Sequence, residues 1–203
     1  MSIVTLTLAL MLFLGFIFLF AYRESRKGES SLKTKELALS EITALVMLVS
    51  SKHPQTKFEE TRDYKTLQKL AAVHQNPTIP VWLISDADSF NADSSYNIAL
   101  KLKQAFGEKF LLVRVEDVKD INEPNHVFAA INRIFTSAQN EMDLQERDLV
   151  CDCTGGIKLM SIGMALACVG KRRLIYLTKD DKYLEIDLQN LLDSILRKLA
   201  KQR

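Results

Sequence analysis

The residues of this chain best suited to holding a ligand run from Asp152 to Lys158, in the order Asp-Cys-Thr-Gly-Gly-Ile-Lys. Paired glycines between a strand and a helix let the backbone approach a ligand closely and leave amides pointing outward. Thr154 adds a hydroxyl, either as the N-cap of the next helix or as a ligand donor. Lys158 is the one charged residue between Ile157 and Gly170. A cation in the first turn of a helix opposes the macrodipole by about 0.3–1 kcal/mol, and an anion bound at that end reverses the penalty. The chemistry implied is phosphate binding; the plainer alternative is a tight turn with Lys158 reaching into water. The P-loop pattern GxxxxGK[ST] and the dinucleotide pattern GxGxxG are both absent.

Two further groups deserve a role. Ser50, Ser51, His53 and Gln55 follow the apolar run Ile42–Val49, where hydroxyls and an imidazole either meet a ribose or base or form an ordinary exposed loop. Ser85, Asp86 and Asp88 follow the run Val81–Ile84 and serve either as ligand contacts or as caps of the next helix, with capping favoured. His74 and His126 carry no separate signal. No Ser-His-Asp grouping and no metal-ligand cluster can be assembled. The cysteines are Cys151, Cys153 and Cys168; an odd number without a CxxC pair indicates neither a disulfide framework nor a zinc site. They are expected to pack as small buried hydrophobes.

Short apolar runs alternate with longer amphipathic ones. Strands are predicted at 42–49, 81–84, 110–115, 148–153, 174–177 and 183–186, the last two as a hairpin around Lys179-Asp180-Asp181-Lys182. Helical spacing falls between Phe58 and His74, from Ser95 to Phe106, from Val127 to Ser137 (with Phe128, Ile131, Ile134 and Phe135 inward), from Ile157 to Val169, and from Leu188 to Leu199. This alternation implies an α/β fold with a Rossmann-like, mostly parallel sheet and helices on both faces. Ligands of such sheets bind beyond the carboxyl ends of the strands where strand order reverses. That point is expected between the strands at 42–49 and 148–152, so the turns after Val49 and Cys151 matter most. Gly163, Ala165 and Ala167 suit close packing of their helix on the sheet, and a subunit contact there is not demanded.

All 27 basic and 25 acidic residues lie beyond Tyr22, for a net charge of +2, which excludes a disordered tail, a polytopic membrane protein and a strongly basic nucleic-acid coat. Ser2–Tyr22 is uncharged, and a helix of that length spans roughly 31 Å, enough for the hydrocarbon core. A cleaved signal fits poorly, because no basic residue precedes the run and no small-x-small site follows it. Arg23, Arg26 and Lys27 follow the span, so the positive-inside rule leaves the N-terminus outside and the large domain in the cytoplasm, at the inner membrane. The expected organisation is a transmembrane helix at 1–22, a linker at 23–35 and one α/β domain at 36–203.

The stretch Asp152-Cys153-Thr154-Gly155-Gly156-Ile157-Lys158-Leu159-Met160 resembles the D-x-T-G-G-x-K-x-M signature of CARF domains, the CRISPR-associated Rossmann folds. The first strand closing on Ser50 and Ser51 is similar to that family's first ligand loop. The resemblance covers roughly residues 36–203 and implies a sensor of cyclic oligoadenylates made by type III CRISPR complexes. It implies that two copies pair across one ring, with Thr154, Gly155, Gly156 and Lys158 on phosphates and riboses and Ser50 and Ser51 facing them. Ser85, Asp86 and Asp152 complete the expected ligand-binding set. Cyclic tetra-adenylate is the expected ligand, with no cofactor, no metal and no direct DNA binding. The appended segment makes the chain similar to the transmembrane CARF effectors, for which the family implies membrane depolarisation in antiviral defence.

A single helix cannot enclose a conducting path, so about four or more spans must associate, as a homotetramer or paired homodimers. Ser2, Thr5 and Ala9 share a helical face suited to helix contacts, and Leu12 and Phe16 continue it as a dewetting gate. The alternative is a plain anchor. A second reading is a ring nuclease, in which Thr154, Lys158, Ser50 and Ser51 orient a ribose 2′-hydroxyl for attack on its phosphate. A third is a membrane-tethered adaptor.

Overall fold

Val46, Met47 and Leu48 are sealed from solvent, because they lie in the middle of a sheet covered on both faces. The computed structural model describes residues 34–87, 90–170, 172–190 and 193. Its strands are β1 (Thr34–Glu36), β2 (Ala44–Leu48), β3 (Pro80–Asp86), β4 (Leu112–Val118), β5 (Leu149–Asp152), β6 (Arg173–Leu177) and β7 (Tyr183–Ile186). Its helices are α1 (Arg62–Val73), α2 (Ser95–Phe106), α3 (Pro124–Met142) and α4 (Lys158–Cys168). Residues Lys35–Leu188 make one compact unit.

The sheet runs β1-β7-β6-β5-β2-β3-β4. Pairing is parallel from β4 through β6, and antiparallel between β6 and β7, the predicted hairpin. β2 lies between β3 and β5, so the chain reverses its direction of sheet growth at the expected place. Each face has its own core. Ala44, Val46 and Leu48 of β2 join Val127, Ile131 and Ile134 of α3 and Met160 and Met164 of α4. Leu45, Met47 and Val49 join Leu67 and Leu70 of α1 and Ile98, Leu102 and Phe106 of α2. A strand buried on both sides loses the alternation of a half-exposed one, which explains the unbroken apolar run.

Several boundaries and one orientation differ from expectation. α3 begins at Pro124, not Val127, since proline's fixed φ suits the first helical turn. Asp143, in the left-handed region at φ 54°, ends it. Val127, Ala130, Ile131, Ile134, Phe135 and Ala138 face inward, whereas Phe128 is 40% exposed and not part of that stripe. Phe58–Glu60 is a separate 3-10 turn, and the α-helix proper starts after Thr61, whose hydroxyl accepts the Tyr64 amide at 3.3 Å. β4 extends through Glu116 and Asp117; as an edge strand it tolerates charge.

α4 packs on its neighbouring helix as much as on the sheet. A Cβ at Gly163 would lie 2.4 Å from the Pro124 carbonyl oxygen and 2.8 Å from Val127 Cβ. The three cysteines are free and buried. Among the described residues no helix is long and apolar enough to cross a membrane. The predicted span at 2–22, with Thr5, Ala9, Leu12 and Phe16, lies outside the described residues, as do the linker up to residue 33 and most of the predicted closing helix.

Candidate functional site

β2 and β5 run side by side and deliver two loops to the same edge of the sheet. Val49 still follows β3, its amide donating to the Ile84 carbonyl at 2.9 Å, and the chain then leaves at half-buried Ser50. Beside it, Cys153 donates its amide to the Ile175 carbonyl at 3.1 Å before the glycine turn. The Gly156 amide donates to Ser50 Oγ at 3.3 Å. The two predicted segments are thus joined directly at the point of strand reversal.

The turn is built from inside. Asp152 is fully buried, and its Oδ1 accepts the Thr154 amide at 2.8 Å and also the Thr154 hydroxyl. That hydroxyl in turn accepts the Leu177 amide at 2.7 Å. Thr154 therefore staples β5 to β6 and is not the helix cap. The N-cap position of α4 is Ile157, which has no capping side chain. Ser161 reaches back from the first turns of α4 and donates to the Cys153 carbonyl at 3.0 Å. Asp152 Oδ2 has no hydrogen-bond partner among the described residues.

The two glycines do different things. A Cβ on Gly155 would fall 2.0 Å from the Leu48 carbonyl oxygen and 2.5 Å from Arg62 Nη2. Its missing side chain lets the turn lie against β2. Gly156 has φ +71°, a left-handed conformation that L side chains adopt at a cost of about 1–2 kcal/mol. Beyond it, Ile157 and Lys158 are exposed. Lys158 makes no ion pair among the described residues.

Other predicted residues are placed less centrally. Ser51 is exposed. His53 and Gln55 form a turn closed by the Thr56 amide on the His53 carbonyl at 2.9 Å. Ser85 is completely buried at the end of β3, and its hydroxyl has no partner among the described residues. The Asp86 amide donates to Ser95 Oγ at 2.9 Å. The cap of α2 is Ser94, which accepts the Asn97 amide at 3.3 Å, so the expected capping by Ser85 or Asp86 is taken by a residue closer to the helix. Asp88 lies outside the described residues.

Three charged residues at this edge escaped the sequence reading. Arg62 donates from Nε and Nη2 to Asp63 Oδ1 at 2.9 and 2.5 Å, and from Nη2 to the Leu48 carbonyl at 3.4 Å. Asp63 Oδ2 accepts the Ser50 amide at 2.8 Å. Burial works against the charge of Arg62, but Asp63 and Asp152 together outweigh it and hold the guanidinium above its ordinary value. Burial pushes the Asp63 carboxyl up, while Arg62 and the Ser50 amide pull it down in part. Lys52 donates to the Thr56 carbonyl at 2.9 Å and pairs with Asp93 at 3.1 Å, fastening the loop after β2 to the segment before α2. For Asp63 the signal was available: it lies four and seven residues before Leu67 and Leu70, in the inward register of α1.

Chemically, this edge offers the main-chain amides of an uncapped helix start and one exposed lysine, beside a half-buried arginine. Those groups suit an anion with several phosphates. No protein-family model matches the sequence, and no curated protein is detectably similar to it. Among solved structures the chain is similar to Enterococcus italicus Csm6 bound to cyclic hexa-2′-fluoro-hexa-dAMP, with TM-score 0.45 and 14% identity over 67% of this chain and 34% of that one. It is also similar to a type III CRISPR defence DNA nuclease activated by cyclic oligoadenylate, with TM-score 0.45 and 16% identity over 81% of this chain and 24% of that one. The chain therefore spans well under two thirds of the length of either protein.

Proposed function

We propose that this chain is a membrane-tethered sensor of a cyclic oligoadenylate, with cyclic tetra-adenylate as ligand, in type III CRISPR defence. One observation carries the reading: the Gly156 amide on Ser50 Oγ, which unites the glycine turn of the CARF-like signature with the loop after β2 that is separately similar to the family's first ligand loop. Lys158 beside an uncapped helix start adds the electrostatic support, since a bound phosphate relieves the opposition between that cation and the macrodipole. A ring of four nucleotides presents the same face twice, which suits two copies of this edge meeting across a twofold axis.

In this reading the ligand draws two or more chains together, and the segments at 2–22 associate and depolarise the membrane. The test uses the full chain in cells that make cyclic tetra-adenylate, with a dye reporting membrane potential. Loss of potential only when both chain and ligand are present is the expected result; an intact potential removes the depolarisation step. Hydrolysis of the ring has less support, because the Thr154 hydroxyl is already engaged with Asp152 and with the Leu177 amide.

A further inference from the structure

Two loops that must act together are tied to each other by one ion pair beneath them. Asp63 is 2% exposed and uses one oxygen for the Ser50 amide and the other for Arg62. Arg62 reaches the last carbonyl of β2, at Leu48, and lies where a Gly155 side chain would stand. Ser50 Oγ then receives the Gly156 amide. The path Asp63–Ser50–Gly156–Gly155–Arg62–Asp63 closes on itself and joins α1, the loop after β2 and the glycine turn after β5.

We infer that Arg62 and Asp63 are a positioning pair that sets the register of the Ser50 loop against the Gly155–Gly156 turn, and through it the affinity of the site for a polyphosphate ring. The pair does little for the core: Leu67 and Leu70 of α1 already seal that face against β2 and β3. A pair with its carboxylate buried and its guanidinium half-buried also contributes little net stability, since desolvation offsets attraction. What the pair fixes is backbone, namely the Ser50 amide and the Leu48 carbonyl. Geometry matters as much as charge, because a lysine amine lacks the forked donors that serve Asp63 and Leu48 together.

The ligand arm of the test rests on the function proposed above; the other two arms do not. The wild-type chain, Arg62→Lys, and the double variant Arg62→Met with Asp63→Leu, which takes away the acceptor of the Ser50 amide, are compared by amide hydrogen exchange without ligand, by thermal unfolding, and by titration with cyclic tetra-adenylate. The double variant removes both charges of the pair, so neither member is left charged without the other. Arg62→Lys keeps a cation near buried Asp152 and separates loss of that charge from loss of the fork geometry. The expected result is faster exchange at Ser50 and Gly156, unchanged exchange in β2 and β5, and an almost unchanged melting temperature. Affinity should fall by about tenfold or more, and Arg62→Lys should not restore it. Unchanged exchange at those two amides, exchange that rises throughout the sheet, or Arg62→Lys binding as wild type overturns the inference. If the wild type does not bind the ring, the proposed function fails alone, and the exchange comparison still decides the positioning role.

Discussion

Lys158 sits at the first helical position of α4, exposed and with no ion-pair partner among the described residues. In the free protein it opposes the macrodipole, so Lys158→Ala should leave the melting temperature unchanged or slightly raised. A charge-assisted hydrogen bond to phosphate contributes about 1.5–3 kcal/mol, so the same variant should bind cyclic tetra-adenylate about 10- to 100-fold more weakly by calorimetry. Gly155→Ala should behave oppositely in stability. Its new methyl meets the Leu48 carbonyl oxygen, and overpacking of this kind costs about 1–3 kcal/mol, readable as a lower urea midpoint. Cys153 is pushed up to about 12, by burial first and Asp152 next. The native protein should therefore resist thiol alkylation at neutral pH and react only after unfolding.

Asp63 gives the pH dependence. Burial holds its folded value above the ordinary 3.8, with Asp152 adding to the rise and Arg62 and the Ser50 amide opposing it. The folded state therefore binds the proton more tightly than the unfolded one. The stability this supplies is complete below the ordinary value and is lost as pH rises through the folded value. Ligand affinity runs the other way, because protonation releases Arg62. Titrations with cyclic tetra-adenylate should weaken as pH falls through that folded value, and Asp63→Asn should flatten the curve.

Among the elements, α3 and α4 make the tightest test of packing. Gly163 allows α4 to touch the first turn of α3, so Gly163→Val should cost about 1–3 kcal/mol of unfolding free energy with little effect on the loops after β2 and β5. Much of the element plan was legible in the chain. The unbroken run at 42–49 marked the central strand, and the predicted α2 matched Ser95–Phe106. Pro124 signals the start of α3, but the apolar spacing alone placed that start later. Phe128 fits the inward spacing loosely, yet its neighbours Val127 and Ile131 take the stripe. Asp63 was legible by register, but a carboxylate next to an arginine reads first as a solvated helix start. The meeting of the turns after β2 and β5 was expected from the strand reversal, but the clasp itself, from the Gly156 amide to Ser50 Oγ 106 positions away, is visible only in the folded chain. Likewise, a threonine before two glycines does not announce that its hydroxyl is spent on its own turn.

At the scale of the whole molecule, strand order does the decisive work. By inserting β5 next to β2, the sheet brings a hydroxyl loop and a glycine turn to one edge, and the lysine follows from the same turn. The proposed sensing function needs that edge to receive a ring shared by two chains. The most direct measurement is a calorimetric titration of the full-length protein with cyclic tetra-adenylate, run beside linear tetra-adenylate and beside Lys158→Ala. The predicted result is saturable binding of one ring per two chains, weaker binding of the linear form, and weakened binding in the variant. Failure of the wild type to bind the ring, or equal binding by Lys158→Ala, would contradict the assignment of this edge as the sensing site.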